Sequence, residues 1–155
     1  MTNIIFICTG NIFRSLTAEF SLRRYLGPNS DVHISSAGTA NLPDLSVRDD
    51  VSEYLLSKGL NVSQHQRRTL TDKMIAQANI IIPMNNDHQA YLNKKYASYF
   101  PLFTQRSGQN PKALPDVDDL FAPEDYYSSE AQNHIYRTID TIIKLTPDLA
   151  KNLDL

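Results

Sequence analysis

The stretch IIFICTGNIFRS, residues Ile4 to Ser15, contains the pattern that decides the fold. Its first four residues are apolar and mostly β-branched, and turn-forming residues follow, which is typical of a short buried strand. From Ser15 to Tyr25 apolar residues recur at helical spacing, so the stretch predicts a strand that passes through a turn into a helix. Cys8, the single cysteine of the chain, lies at that turn.

Further strand-like patterns follow along the chain. Apolar runs predict strands at 4–7, 32–37 and 79–82. A weaker fourth strand is predicted over Tyr99–Phe103, where Pro101 would restrict it to an edge of the sheet. Because these strands alternate with helices, the sequence predicts an α/β fold with a parallel sheet covered on both faces.

Helical patterns separate the strands. Apolar residues at helical spacing predict helices at 15–25, 47–58, 70–78 and 85–95. Ser128 or Ser129 would cap a last helix, and the apolar stripe of that helix consists of Ala131, Ile135, Ile139 and Ile142. A tail is predicted to follow from Pro147 to Leu155.

Length and composition limit the class of protein. A chain of 155 residues, 41% of them hydrophobic, can bury one substantial core, which predicts one domain over 1–155. The formal net charge of −2 gives no general attraction to nucleic acid or to an anionic membrane. No apolar run approaches a membrane span, no signal pattern begins the chain, and one cysteine excludes an internal disulfide. We therefore expect a cytoplasmic monomer or weak dimer without nucleic-acid or membrane partners.

The turn after the first strand has the chemistry of an anion site. A strand-to-helix turn directs backbone N–H groups and the positive end of the helix dipole toward one point. This environment favours the thiolate of Cys8, which is the species that attacks phosphorus. Arg14 carries a planar guanidinium that matches two phosphate oxygens. Gly10 and Asn11 suit positive φ, and the hydroxyl of Ser15 would stabilise the thiolate. The predicted phosphate loop also includes Thr9, Ile12 and Phe13.

A structural role is the alternative for the cysteine. An unpaired cysteine is often a small buried hydrophobic residue, here at the end of a strand. The spacing from Cys8 to Arg14, together with the Gly-Asn turn between them, favours the nucleophile instead. The four histidines are too scattered along the chain to predict a metal site, and structural or surface roles are expected for them.

The stretch from Ile4 to Ser15 resembles the N-terminal signature of the low-molecular-weight protein tyrosine phosphatases, whose loop is Cys, five residues, Arg, then Ser or Thr. Other segments resemble the same family in order: SSAGT at 35–39, HQRRTL at 65–70, ANIIIPM at 78–84 and LPD at 114–116. The resemblance implies a three-layer sandwich whose central four-stranded parallel sheet has the order 2-1-3-4. It also implies hydrolysis of a tyrosine-phosphorylated protein through a cysteinyl phosphate, with a phosphate ion bound in the loop and no metal or organic cofactor.

The resemblance further implies a carboxylic acid that protonates the leaving oxygen and then activates water. In the family this residue is an Asp, usually followed by Pro, on a loop before the last helix. Asp116 is the predicted acid here, although Val117 follows it. Asp118 and Asp119 lie in the same stretch, and Asp125 is the competing candidate because it lies nearer to the last helix.

Tyr126 and Tyr127 resemble the aromatic pair that contacts the substrate ring in some family members. Alternatively they are ordinary tyrosines, one packed and one exposed. Phe13 stands where many members have a second cysteine, Leu16 where Pro is common, and Asn79 where Asp is frequent. The last change is expected to alter one supporting interaction near the loop.

Two other functions agree with the same residues. A regulatory module could keep the anion loop, bind phosphoproteins and lack a working acid. Arsenate reduction, which some relatives on this scaffold perform, would require an external thiol because the chain has no second cysteine.

Overall fold

Three parallel strands form the sheet of the protein in a computed structural model that describes residues 1–155. They are β1 (Thr2–Cys8), β2 (Val32–Gly38) and β3 (Ile80–Pro83), in the order β2-β1-β3. The central strand β1 pairs with β2 along its whole length, so that Cys8 lies opposite Gly38. The carboxyl ends of parallel strands meet at one edge of a sheet, and Cys8 therefore lies at the edge where α/β folds bind ligands.

The predicted fourth strand does not form, so the predicted order 2-1-3-4 is wrong for this structure. Pro101 has no N–H to donate to a neighbouring strand. The adjacent backbone N–H groups donate to side chains instead: that of Phe100 to Oδ1 of Asn93 and that of Leu102 to Oε1 of Gln105. Residues 97–102 are therefore irregular, and a short helix begins at Phe103.

Seven α-helices pack around the sheet, and a 3-10 turn spans Pro123–Asp125. The helices are α1 (Arg14–Leu26), α2 (Asp49–Ser57), α3 (Asp72–Gln77), α4 (Asn86–Tyr96), α5 (Phe103–Arg106), α6 (Val117–Leu120) and α7 (Ser129–Asn152). No helix combines the length and the apolar composition that crossing a membrane requires.

Side chains of β1 alternate between the two faces of the sheet, as the period of a strand requires. Ile4, Phe6 and Cys8 belong to a buried cluster that includes residues of α1 and α7. Ile5 and Ile7 belong to a second cluster with residues of α3 and α4. Helices therefore cover both faces, and the predicted α/β arrangement is confirmed.

The last helix continues beyond the predicted boundary, so the tail predicted from Pro147 is wrong. A proline inside a helix removes one backbone hydrogen bond and costs about 3 kcal/mol. Leu149 and Ala150 are fully buried in the cluster beneath the sheet, and their burial offsets that cost. Ser128 is the N-cap of the helix, since its Oγ accepts the N–H of Ala131 at 3.1 Å.

The turn after β1 needs a glycine on the neighbouring strand. A Cβ at Gly38 would lie 2.4 Å from the carbonyl oxygen of Thr9, which no side chain can tolerate. The chain beyond Gly38 then supports the turn, because Thr39 N donates to Cys8 O at 2.9 Å and Ala40 N to Thr9 O at 3.0 Å. The site loop is therefore held by backbone contacts from the segment that follows β2 as well as by its own strand and helix.

Candidate active site

Cys8 ends β1 with its thiol surrounded by hydrogen-bond donors. Its side chain is 2% exposed, and its Sγ lies 2.9 Å from Oγ of Ser15. The backbone N–H of Asn11 donates to the same sulfur at 3.2 Å. The Ser15 hydroxyl and the Asn11 N–H therefore both lie within hydrogen-bond distance of the sulfur at the base of the loop.

Asn11 holds the loop in its shape. Its φ of 58° lies in the left-handed region, where Asn is tolerated better than most residues. Its fully buried side chain donates from Nδ2 to the hydroxyl groups of Ser15 at 2.9 Å and Ser36 at 2.7 Å. Its Oδ1 accepts the backbone N–H of Arg68 at 3.0 Å. With all of these bonds made, the loop is fixed before any ligand binds.

A buried carboxylate extends this network, and the sequence patterns did not indicate it. Ser36 donates its hydroxyl to Glu19, which is 2% exposed and lies in the middle of α1. Arg23 pairs with the other oxygen of Glu19 at 2.7 Å, and Arg68 lies 3.9 Å away. The only sequence signal was a charged residue on the apolar face of a helix.

The loop retains backbone donors that no protein group accepts. The N–H groups of Gly10, Ile12 and Phe13 donate to no acceptor in the chain. They immediately precede α1, a helix of 13 residues whose positive dipole end lies at Arg14. Unpaired N–H groups at a helix N-terminus favour a bound anion.

Arg14 is 1% exposed and lies beside this loop. Its Nη1 donates to the carbonyl oxygen of Leu114 at 3.0 Å, and its Nη2 pairs with Oδ2 of Asp116 at 2.5 Å. Its Nε is buried and has no hydrogen-bond partner. A buried guanidinium whose Nε–H has no acceptor in the protein favours an acceptor there, and a phosphate oxygen would supply one.

The structure separates the two predicted acids. Asp116 pairs with Arg14, whereas Asp125 ends the exposed 3-10 turn and does not line the cleft above the loop. Asp116 and Asp118 both line that cleft. Partial burial raises the pKa of Asp118 above its usual value, and the neighbouring carboxylates of Asp116 and Asp119 add to the effect.

The cleft has a volume of about 950 Å³ and is bordered by four of the predicted site residues with apolar or aromatic side chains: Ile12, Phe13, Tyr126 and Tyr127. Tyr126 is half-buried against the cluster formed by α2 and α7. Tyr127 is 78% exposed, and the guanidinium of Arg48 lies 4.1 Å from its ring centroid. One tyrosine is therefore packed and the other exposed, but both face the same cleft as the loop.

Leu16 and Asn79 are two of the positions where the chain departs from the family pattern. Leu16 is fully buried in the first turn of α1, and its apolar side chain fills the position where Pro is common in the family. Asn79 lies at the opposite end of the sheet from the loop, where its Oδ1 accepts the N–H of Asn3 at 2.8 Å. The expectation that Asn79 influences the loop directly is therefore wrong.

Two histidines contact the loop, although the scattered positions of the histidines gave no sign of it. Nε2 of His65 lies 2.9 Å from the carbonyl oxygen of Asn11. Nε2 of His88, in α4, lies 2.8 Å from Oγ1 of Thr9, and the ring is 2% exposed. Arg67 also supports the loop, since its Nε donates to Gly10 O at 2.9 Å. Only tertiary contact brings these residues to the site.

The buried His88 predicts a pH dependence of stability. Burial, the largest cause, and the positive charge of Arg14 lower the pKa of His88 to about 3. The negative charge of Asp119 has a smaller, opposite effect. In the unfolded chain a histidine titrates near ~6.5, so between these values only the unfolded chain binds the proton. The free energy of unfolding therefore falls as pH falls through this window, by up to about 1.4 kcal/mol per pH unit.

We expect His88→Gln to weaken this dependence while keeping an amide that can donate to Thr9. Urea unfolding at pH 7 and at pH 4.5 measures it, and the wild-type protein should lose about 2 kcal/mol more than the variant between the two conditions. Equal losses in both proteins would contradict a neutral buried His88.

Comparisons with known proteins agree with this geometry. The family model described as low molecular weight phosphotyrosine protein phosphatase matches residues 3–154. The structure of Vibrio vulnificus Wzb in complex with benzylphosphonate is similar with a TM-score of 0.72 and 28% identity, covering 99% of each chain.

Two curated relatives match part of the chain. The low molecular weight protein-tyrosine-phosphatase Ptp of Acinetobacter johnsonii is 28% identical over 61% of this chain and 64% of that protein. The protein-arginine-phosphatase of Bacillus subtilis (strain 168) is 29% identical over 63% of this chain and 65% of that protein. The chain thus spans about two thirds or less of the length of these relatives. Because the family model covers nearly every residue, the chain belongs to the low molecular weight phosphotyrosine protein phosphatase family.

Proposed function

We propose that the protein hydrolyses protein phosphotyrosine through a cysteinyl-phosphate intermediate. The observation that carries this proposal is the arrangement around Cys8: a buried sulfur with two donors, three unpartnered loop N–H groups, and a buried Arg14 Nε without an acceptor. A phosphoryl group would satisfy these donors while its phosphorus faces the sulfur.

In the first step the thiolate of Cys8 attacks phosphorus, the S–P bond forms, and the P–O bond to tyrosine breaks. A carboxyl group of the segment 116–119 gives its proton to the departing phenolate oxygen. In the second step the resulting carboxylate accepts a proton from water, whose oxygen bonds to phosphorus as the S–P bond breaks. Ser15, 2.9 Å from the sulfur, stabilises the thiolate that leaves.

The walls of the cleft support an aromatic phosphate as substrate. Ile12, Phe13 and Tyr126 give apolar or aromatic surface beside the loop, and Tyr127 extends it outward. A phenyl ring buries more apolar area in such a cleft than an aliphatic ester does. A tyrosine-phosphorylated protein is therefore the proposed partner.

Phosphoarginine is a second candidate substrate, because carboxylates also line the cleft. Asp44, Asp49 and Asp118 are exposed there and form no ion pair. A guanidinium attached to the phosphoryl group would complement these charges. The curated Bacillus subtilis relative is named a protein-arginine-phosphatase, which adds support to testing this substrate.

Steady-state assays with the wild-type protein test the proposal. We expect metal-independent turnover of p-nitrophenyl phosphate with a chelator present, competitive inhibition by inorganic phosphate, and a higher kcat/KM for a phosphotyrosine peptide than for a phosphoarginine peptide. The reverse preference would favour the second substrate. Binding of phosphate without turnover of any of these substrates would contradict hydrolysis and favour a regulatory binding module.

A further inference from the structure

Arg48 borders the cleft immediately before α2, and its side chain is 15% exposed. Its Nε and Nη2 donate to the two carboxylate oxygens of Asp50, at 2.9 Å and 2.6 Å. Its Nη1 donates to the carbonyl oxygen of Tyr126 at 2.7 Å. All three nitrogens of the guanidinium are therefore engaged, so that both its plane and its position are fixed.

Asp50 gives this guanidinium a rigid support, because residues of two helices hold its carboxylate. Its Oδ1 also accepts the N–H of Val51 at 3.0 Å in the first turn of α2. Its Oδ2 accepts Nε2 of Gln132, in α7, at 3.1 Å. Val51 and the neighbouring residues of α7 lie in one buried cluster, so the two helices keep their relative place. Arg48 thus connects the packed core to the backbone at Tyr126.

Tyr127, the next residue, depends on Arg48 for its place in the wall of the cleft. Its side chain is largely exposed, whereas the ring of Tyr126 packs against the cluster formed by α2 and α7. The guanidinium carbon of Arg48 lies over the face of the Tyr127 ring, 4.1 Å from its centroid. A cation in this position is attracted by the ring quadrupole. Packing therefore fixes Tyr126, and Arg48 restrains Tyr127.

An ordered ring in the cleft favours an aromatic ligand. Immobilising a mobile side chain when a ligand binds costs conformational entropy. Tyr127 has already lost part of that freedom through its contact with Arg48, so a phenyl ring can pack against it at a smaller cost. Offset or edge-to-face contact between two rings then stabilises the complex. An aliphatic phosphate has no ring and gains nothing from this restraint.

We infer that Arg48 is a positioning residue that holds Tyr127 in the wall of the cleft and thereby gives the site its preference for aromatic over aliphatic phosphates. The inference rests on the phosphate-binding part of the proposed function. The hydrogen bonds of the Arg48 guanidinium go to Asp50 and Tyr126. Arg48 therefore acts on the part of a ligand beyond phosphorus, while the loop N–H groups and Arg14 bind the phosphoryl oxygens.

Two phosphonates separate these effects, because they carry the same anionic group. Benzylphosphonate adds a phenyl ring, whereas methylphosphonate adds only a methyl group, and the P–C bond of each resists hydrolysis. The aryl preference is the Kd of methylphosphonate divided by the Kd of benzylphosphonate, both measured by calorimetry. This ratio is a binding quantity, so it can be measured whether or not the protein turns over any ester.

For Arg48→Lys we expect the aryl preference to fall about fivefold, which is within the range of an aromatic contact, and the Kd of methylphosphonate to stay within about twofold. Lysine keeps the charge but cannot donate to Asp50 and to the Tyr126 carbonyl in one fixed geometry. Asp50→Asn keeps Arg48 and removes the charge that anchors it, so the aryl preference should fall in the same direction by a smaller factor. Arg137→Lys, on the exposed face of α7, is the matched control and should have the wild-type ratio.

Tyr127→Leu tests whether Arg48 acts through the ring. It should lower the aryl preference about as much as Arg48→Lys does, and adding Arg48→Lys to it should change the ratio by less than about twofold. Tyr127→Phe keeps the ring and should retain the preference. The inference is overturned if Arg48→Lys leaves the aryl preference unchanged, if it weakens both phosphonates equally, or if the two effects multiply in the double variant.

The wild-type protein supplies the remaining outcomes. If it binds neither phosphonate, or binds both equally, the inference fails. If it binds benzylphosphonate more tightly and the variants follow the expected pattern, but no phosphate ester is hydrolysed, the proposed hydrolysis is wrong and the assignment of Arg48 stands.

Discussion

Cys8→Ser should abolish turnover, lowering kcat for p-nitrophenyl phosphate by at least about 10⁴-fold, because a serine hydroxyl is not ionised at neutral pH. The substitution changes one buried atom and keeps a group that can hydrogen-bond to Ser15, 2.9 Å from the sulfur. We therefore expect the fold to be retained. Phosphate binding, measured by calorimetry, should persist in the variant because the loop N–H groups and Arg14 remain.

The single cysteine makes a second measurement unambiguous. Cys8 is the only thiol that iodoacetate can alkylate, so incorporation at the thiol should reach one equivalent and parallel the loss of activity. Inorganic phosphate should protect the thiol by occupying the loop. Turnover that survives in Cys8→Ser, or alkylation that leaves activity intact, would exclude Cys8 as the nucleophile.

Arg14→Lys should lower kcat/KM by about 10³-fold or more, because removing one preorganised donor from a developing anion already costs about 10²–10³-fold. Lysine keeps the positive charge beside Asp116 but loses the planar guanidinium, including the Nε that has no partner in the structure. It also cannot contact Leu114 O and Asp116 in the same fixed geometry. The inhibition constant for phosphate should rise together with KM.

Arg24→Lys is the matched control, because Arg24 lies on the exposed face of the same helix and donates to the carbonyl oxygen of Lys58. Surface substitutions of this kind change stability by about 0.5 kcal/mol or less. Its kinetics should therefore match wild type. If Arg14→Lys has wild-type kcat/KM and wild-type phosphate inhibition, the proposed role of Arg14 in binding phosphate is wrong.

The sequence was most informative where the structure depends on neighbouring residues. The strand, turn and helix from Thr2 to Leu26 follow from an apolar run, a Gly-Asn turn and helical spacing, all of which act over a few residues. The same spacing places Cys8 and Arg14 on either side of one loop. Capping of α7 by Ser128 and the buried stripe of that helix were also predictable, because a cap and an amphipathic face are local features.

Predictions failed where a propensity rule competed with side-chain packing or with hydrogen bonds from side chains. A proline normally ends a helix, yet α7 passes through Pro147 because Leu149 and Ala150 are buried under the sheet. Apolar residues at 99–103 resembled a strand, yet side chains of Asn93 and Gln105 take the backbone donors that a strand would need. Propensity is a weak preference, and burial or specific side-chain hydrogen bonds override it.

The sequence by itself determined the strand-turn-helix unit and the spacing of its chemical groups, because these depend on backbone geometry over a dozen residues. Only the tertiary structure decided which carboxylate pairs with Arg14, since Asp116 is 102 residues away in the chain. It also brought His88, 79 residues from Thr9, into hydrogen-bond distance of the loop. Hydrogen bonds and ion pairs act over a few ångströms, and no local pattern records which distant segments the packing of the core places within that range.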